Sequence, residues 1–186
     1  MDMMRDDPSR VIEIAKALDI GTLYIPFLEP NLRPKDAKGW ADIGHQVAEI
    51  GKPIRDAGIS LGWHNHEFEF EDIGGGELPI DHIMSADGEL ELEFDVAWAI
   101  KVGADPMVTI KKYGWRISAA HLKDIAPEGT CEDEDGWADL GHGTVSWDAY
   151  FKALKNAGTR HFIVEHDNPG DHHRFAQRSI ISAQNL

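Results

Sequence analysis

The sequence predicts an α/β fold built from parallel strands, and two patterns carry that prediction. Five short apolar runs alternate with helical patterns, and the runs begin near residues 22, 59, 90, 117 and 161. Except for the run near residue 90, where acids alternate with apolar residues, the runs contain few polar residues before their ends, as is typical of parallel strands covered on both faces. The 186 residues, 42% of them hydrophobic, suffice for a single domain with a sizeable core.

The first part of the chain contains two predicted helices around the first strand. A helix is expected to begin at Asp7, because Pro8 suits a first helical turn. The strand over residues 22–28 follows it. A longer helix then begins near Asp36, and we expect Pro53 to kink it and Gly58 to end it.

The remaining elements repeat this alternation of strand and helix. The predicted strands cover residues 59–66, 90–96, 117–122 and 161–165; the predicted helices cover residues 105–114, 147–155 and 171–182. An acidic, glycine-containing loop is predicted over residues 125–145. We expect one domain over residues 1–186.

Composition excludes several functional classes. The chain carries 18 Lys+Arg against 33 Asp+Glu, a formal net charge of −15, which disfavours binding to nucleic acid or to anionic membranes. Its one cysteine, Cys131, cannot form an internal disulfide. The first residues lack the pattern of a signal peptide, and no stretch is apolar enough to span a membrane. These features favour a cytoplasmic location.

Polar residues collect where the predicted strands end. The candidates are His64, His66 and Glu69 after the second strand, Asp95 at the third, His121 and Lys123 at the fourth, and Glu165 at the fifth. Ligand sites in parallel α/β folds form at the carboxyl ends of strands. Carboxylate and imidazole groups from separate strands suit a divalent ion: Mn²⁺, Mg²⁺, Co²⁺ or Zn²⁺.

Alternation along the strands refines this interpretation and leaves alternatives open. Side chains two residues apart share a strand face, so His64 and His66 point together, as do His121 and Lys123. A single histidine at a strand end also fits a structural role, and Asp95 also fits a turn or helix cap.

Four segments, GISLGWHNHEFEF, ELEFDVAW, ISAAHLKDI and HFIVEHD, occur in this order along the chain. Together they resemble the sugar phosphate isomerase/epimerase superfamily of xylose isomerase-like TIM barrels, which shares its fold with endonuclease IV, and in particular its HNHxxEF branch. The resemblance implies a divalent metal, often Mn²⁺, held by Glu, Asp, His and Glu. Asp95, His121 and Glu165 match the last three ligands. His64 stands where many members carry the first glutamate, and Glu69 is the expected substitute.

The implied activity is metal-dependent isomerisation or epimerisation of a keto-sugar or related polyol through an enediolate. Glu165 or Glu69 would remove the proton, and His64, His66 or Lys123 would return it or orient the substrate. An inosose dehydratase-like or keto-glycoside lyase reaction at the same site remains open. Trp98 replaces a substrate-binding histidine of some epimerases, which disfavours ketohexose 3-epimerase activity.

Two rival hypotheses concern the chain as a whole. An endonuclease would need a basic face, which the net charge of −15 argues against. A TIM barrel needs eight βα units, whereas about five are visible, so three N-terminal units are expected to be missing. The chain would then form a homo-oligomer or need another polypeptide to complete the barrel, or it would be a non-catalytic sugar-binding subunit.

Overall fold

A computed structural model of the chain describes residues 1–186. Contacts within the chain divide it into two compact units, Met1–Glu93 and Phe94–Leu186. The single domain expected over the whole length stays a prediction. None of the helices has both the length and the apolar character that crossing a membrane would require.

The first unit contains three parallel strands with intervening helices. Its elements are α1 (Asp2–Asp6), α2 (Pro8–Ala17), β1 (Thr22–Ile25), α3 (Ala37–Asp56), β2 (Ser60–His64), α4 (Pro79–Ser85) and the first part of β3 (Glu91–Asp95). Short 3₁₀ turns lie at Pro30–Leu32 and Phe68–Phe70. In the register, Thr22 pairs with Ser60 and His64 with Glu93. These pairings confirm the predicted parallel arrangement within this unit.

Helix α3 follows the apolar stripe that the sequence predicts. Its residues Trp40, Ile43, Val47, Ile50 and Ile54 are buried, at the three- and four-residue spacing of one helix face. Ile54 also joins Val11, Ala15 and Ile59 in a cluster between α2, α3 and the start of β2. The helix continues through Pro53 and ends three residues later, at Asp56.

The second unit begins with the last two residues of β3. It contains α5 (Val96–Lys101), α6 (Pro106–Tyr113), β4 (Ile117–Leu122), β5 (Asp124–Ile125), β6 (Trp137–Ala138), α7 (Trp147–Ala157), β7 (His161–Val164) and α8 (His172–Gln184). 3₁₀ turns lie at Gly114–Arg116 and Glu132–Glu134. Strands β4 and β7 are parallel, with Ala119 opposite His161. Strands β5 and β6 form a small antiparallel ladder.

Aspartate side chains begin most of the helices. The side chains of Asp7, Asp36, Asp95, Asp105 and Asp171 each accept a hydrogen bond from a backbone N–H in the first turn of α2, α3, α5, α6 and α8. These bonds satisfy N–H groups that a helix cannot pair internally, and the negative charge suits the helix dipole. Part of the chain's acidity therefore serves local folding.

The structure differs from the predicted elements mainly where segments are short. β1 ends at Ile25 and not at residue 28, because Pro26 has no N–H to donate to a neighbouring strand. Helices α1, α4 and α5 have seven residues or fewer, too few for a clear helical period, and the sequence does not predict them. The loop over residues 125–145 contains β6 and a 3₁₀ turn.

Candidate functional site

Three of the predicted ligands come together in the second unit. Asp95 is the last residue of β3, His121 is next to last in β4, and Glu165 directly follows β7. The β4–β7 register places His121 opposite Ile163, and the Glu165 N–H donates to the Leu122 carbonyl at 3.2 Å. Glu165 lies two positions beyond Ile163, so the ladder places its side chain on the same face as His121.

The three side chains form a compact donor set. His121 Nδ1 lies 2.7 Å from Glu165 Oε2 and 3.6 Å from Asp95 Oδ2. One ligand atom from each residue lies within 4.8 Å of the other two. The Asp95 side chain is fully buried, while that of Glu165 is 36% exposed, so the set is anchored at one end and open at the other.

Lys123 supplies the positive charge of this cluster. Its side chain is only 1% exposed, and Nζ lies 3.2 Å from Asp95 Oδ2, 2.9 Å from Glu165 Oε2 and 2.8 Å from Asp167 Oδ1. Burial alone would lower the pKa of Lys123, but the three carboxylates raise it above its usual value. The ammonium group is therefore charged at neutral pH.

The pKa values of the Glu165 and Asp95 carboxyl groups are shifted in the opposite direction, below their usual values. Burial works to raise the pKa of Glu165, but the His121 hydrogen bond and the Lys123 charge lower this pKa to about 2. Burial likewise opposes ionisation of Asp95, yet His121 and Lys123 lower the pKa of that group as well. Both carboxylates are ionised at neutral pH and are suited to bind a cation.

An aromatic wall adjoins Lys123. Trp98, in the first turn of α5, meets Trp137 of β6 edge to face, with ring centroids 4.7 Å apart. Lys123 Nζ lies 4.7 Å from the Trp137 ring centroid and 5.1 Å from that of Trp98. Lys101 Nζ lies 3.5 Å from the centroid of Trp137. Favourable cation–π contacts therefore add to the ion pairs that hold Lys123.

The loop that carries Trp137 is anchored by Asp124. The buried Asp124 carboxylate accepts hydrogen bonds from four backbone N–H groups: Oδ1 from Ile125 and Val145 at 2.9 and 3.0 Å, and Oδ2 from Gly141 and Gly143 at 2.9 and 3.1 Å. One side chain thus ties together both ends of the loop. Sequence reasoning missed Trp137 because no local pattern indicates which loop residue contacts the strand-end lysine.

The other predicted site residues lie in the first unit. His64 ends β2, its Nδ1 lies 3.1 Å from Glu93 Oε2, and its ring meets that of His66 edge to face at 4.9 Å. The sequence pattern gives no indication of this contact between Glu93 and His64. The shared face expected for His64 and His66 agrees with their ring contact.

Glu69, the expected first ligand, is engaged within its own unit. It is fully buried; Oε1 accepts from Trp63 Nε1 and Oε2 from the His66 backbone N–H, both at 2.8 Å. Burial outweighs these hydrogen bonds and raises the pKa of Glu69 to about 8. This environment favours a protonated structural carboxyl over a metal ligand, and the ligand role of Glu69 stays a prediction.

The donor chemistry of the second unit fits a divalent ion. Two ionised carboxylates and an imidazole are the ligands that Mn²⁺, Zn²⁺ and related ions accept, and the buried positions of Asp95 and His121 hold their donors in place. Lys123 also contacts both carboxylates, so its ammonium group partly neutralises the negative charge that would attract a metal ion.

Polar side chains gathered at the carboxyl ends of parallel strands are typical of α/β barrels, whose ligand sites lie at that end of the barrel. The family model of the xylose isomerase-like TIM barrel matches residues 4–183. The chain therefore belongs to this family, which confirms the resemblance seen in the four sequence segments and the predicted TIM-barrel fold class.

Several curated relatives are named inosose dehydratase. One from Clostridium botulinum is 32% identical over 94 residues, covering 48% of this chain and 30% of that protein. Inosose dehydratase 2 of Bacillus cereus is 25% identical over 184 residues, covering 88% of this chain and 59% of that protein. The chain thus spans less than two thirds of these relatives.

Solved structures show the same fold. A sugar phosphate isomerase/epimerase from Parabacteroides distasonis superimposes with a TM-score of 0.79 and 19% identity, covering 98% of this chain and 65% of that one. The IOLI protein with a bound zinc atom gives 0.69 and 17% identity over 95% and 66% of the two chains. A Mycobacterium smegmatis family member in complex with magnesium gives 0.67 and 18% over 94% and 64%.

Proposed function

We propose that the second unit binds a divalent metal through Asp95, His121 and Glu165, and that the chain acts as a metal-dependent isomerase or epimerase on a keto-sugar or related polyol. The observation that carries this proposal is the convergence of the three donors within 4.8 Å. The zinc and magnesium bound by the two structural neighbours support a metal here. Mn²⁺ remains our first expectation for its identity.

The chain's own residues divide the chemical work. A bound divalent ion supplies the Lewis acidity that makes a carbon next to a carbonyl acidic. Glu165 is the most exposed of the three donors and so is the one that faces substrate. Because its pKa is about 2, Glu165 is a weak base in this hydrogen-bonded state and is better suited to bind a cation than to remove a proton from substrate.

Lys123 acts as a fixed charge in this proposal. A raised pKa and contacts with three carboxylates favour orientation of the site over release of a proton at neutral pH. Proton transfer between neighbouring carbons then falls to other groups. His64, His66 and Glu69 stay candidates for that task, and the pKa of about 8 would let Glu69 hold a proton at neutral pH.

Dehydration is the second candidate reaction. The names of the curated relatives support it, because loss of a hydroxyl next to the acidified carbon requires the same first proton transfer. A keto-glycoside lyase would use that step as well. In each case the substrate is a small neutral or charged polyol, and the net charge of −15 continues to disfavour nucleic acid.

Three features of the whole protein remain proposals: a cytoplasmic location, a homo-oligomer, and completion of the barrel by further βα units. A non-catalytic sugar-binding subunit is the alternative to an enzyme. Turnover of keto-sugars and inososes by the metal-loaded chain would separate these two, since a binding subunit would bind the compounds and leave them unchanged.

The metal proposal is tested by metal content. The wild-type chain is loaded with Mn²⁺ or Zn²⁺, freed of excess metal and analysed by mass spectrometry, beside Asp95→Asn and His121→Ala variants. Asparagine can still cap α5 through its amide oxygen, so Asp95→Asn removes charge while preserving the bond to the Trp98 N–H. Both variants should lose bound metal.

An exposed carboxylate provides the matched control. Asp133→Asn removes one negative charge from the same unit, outside the donor set, and should leave metal content unchanged. Equal metal content in the wild type and in both site variants would reject the three-residue site, whatever the activity measurements show.

A further inference from the structure

The loop that follows β1 places an arginine against two phenyl rings. Arg33 lies directly after the 3₁₀ turn Pro30–Leu32. Its guanidinium carbon lies 3.5 Å from the ring centroid of Phe68 and 5.0 Å from that of Phe27. The Arg33 Nε–H donates to the Leu28 carbonyl at 2.9 Å. Ring contacts and this hydrogen bond together orient the guanidinium plane.

Arg33 has no acidic partner within the chain. The only hydrogen bond of its side chain is the one from Nε, and no carboxylate pairs with it. The four N–H groups on its two terminal nitrogens therefore remain available. By contrast, Arg10 and Arg174 both form close ion pairs with carboxylates.

The same two rings contact His66. The His66 imidazole is nearly parallel to the Phe68 ring, with centroids 6.0 Å apart, and meets Phe27 edge to face at 5.0 Å. Phe27 is 39% exposed, so this cluster reaches solvent. His66 lies just after β2 and Arg33 belongs to the loop after β1, so both lie beyond the carboxyl ends of paired parallel strands. Ligands of α/β proteins bind at such ends.

We propose that Arg33 is an oxyanion subsite, which binds a carboxylate or phosphate group of the substrate beside His66. A planar guanidinium fixed on an aromatic face presents its remaining N–H groups as a fork, the geometry that carboxylates and phosphates accept in two parallel hydrogen bonds. The inference rests on the proposed function only in assigning this anion to a substrate.

Chemical protection on the wild-type chain tests the subsite directly. Phenylglyoxal modifies accessible arginines, and peptide mass spectrometry measures the rate at each position. The chain is kept in EDTA and treated with inorganic phosphate, acetate or chloride at equal ionic strength, so that general screening is the same in all three. We expect phosphate or acetate to slow modification of Arg33 several-fold relative to chloride, and to leave Arg10 unaffected.

Variants provide the second readout. Arg33→Met keeps an apolar contact with Phe68 and should weaken binding of the protecting anion, measured by calorimetry, about tenfold or more. Arg33→Lys keeps the charge but lacks the forked N–H groups, so its affinity for the anion should lie between those of the wild type and Arg33→Met. Arg10→Met is the control, because Arg10 is exposed and paired with Glu13, and it should bind like the wild type.

The outcomes separate two sources of the anion. Protection by phosphate alone assigns the subsite to phosphorylated compounds, and protection by acetate alone assigns it to carboxylates. Equal modification rates in all three salts, or equal protection of Arg33 and Arg10, would overturn the proposal. Neither readout involves metal or turnover. Failure of the Arg33 proposal would therefore not affect the metal-content test of Asp95 and His121, and failure of the metal proposal would not affect the Arg33 tests.

Discussion

The ammonium group of Lys123 lies 3.2 Å from Asp95 Oδ2, and both side chains are almost completely removed from solvent. Such a pair is costly to bury and costly to break, because removal of one partner leaves the other as an uncompensated buried charge. Its position at the ends of β4 and β3 makes it the electrostatic centre of the candidate site.

Lys123→Met tests that central role. The substitution retains most of the side-chain volume but leaves the Asp95 and Glu165 carboxylates without their shared cation. We expect a loss of about 3–5 kcal/mol in the free energy of unfolding in EDTA, measured by urea denaturation. Added Mn²⁺ should recover part of this loss, because a divalent ion replaces the missing charge.

The control for this experiment is Lys101→Met. Lys101 also contacts Trp137, but it is exposed, so its substitution should lower the free energy of unfolding much less than Lys123→Met does. If the Lys123 and Lys101 variants had equal stability, the central role of the buried pair would be refuted.

Glu69 predicts a pH dependence of stability. Its pKa of about 8 in the folded chain exceeds the ordinary value of 4.5, so between these pH values the folded state holds a proton that the unfolded state releases. The stabilising contribution is therefore complete below about pH 4.5 and is lost as the pH rises toward 8, at up to about 1.4 kcal/mol per pH unit.

Glu69→Gln should lack this slope, because glutamine does not titrate. Its unfolding free energy relative to the wild type should therefore rise between pH 5 and pH 8 in parallel urea titrations. The exposed Glu71→Gln variant should follow the wild-type profile. Parallel profiles for Glu69→Gln and the wild type would show that Glu69 is ionised throughout this range.

Asp124→Asn should loosen the loop over residues 125–145. An amide can accept on one side only, so two of the four backbone N–H groups lose their acceptor and face an N–H₂ group. We expect a loss of about 2–4 kcal/mol in stability and faster proteolytic cleavage within the loop. Asp133→Asn, an exposed change in the same loop, is the control and should leave cleavage unchanged.

Gly143→Ala approaches the same anchor from the other side. A methyl group at this position would overlap Asp124 Oδ1 and the Ile125 carbonyl oxygen, so the loop must shift to admit it. Destabilisation of about 1–3 kcal/mol is expected in thermal or urea unfolding. Gly88→Ala, where the added methyl meets open space, should be close to neutral. A neutral Gly143→Ala variant would mean that the loop is not held tightly by Asp124.

The long, periodic elements are predictable from sequence because their signal is local. The strand predicted over residues 117–122 corresponds to β4 (Ile117–Leu122), and the buried face of α3 follows its apolar stripe. Short helices such as α5 (Val96–Lys101) escape prediction, since fewer than two helical turns do not establish a period. The parallel arrangement and the strand-end location of Asp95, His121 and Glu165 also follow from the pattern alone.

Sequence by itself thus determined the fold class and which side chains lie at strand ends, because hydrophobic periodicity and strand polarity follow from chain chemistry over a few residues. Tertiary structure alone decided how those side chains are used. It paired Lys123 with three carboxylates. It also buried the Glu69 carboxyl group, which accepts two hydrogen bonds. The ion pairs of Lys123 join residues far apart in the chain, and the desolvation of Glu69 depends on the packing around it. Ion-pair distance and desolvation in turn govern the pKa of each group.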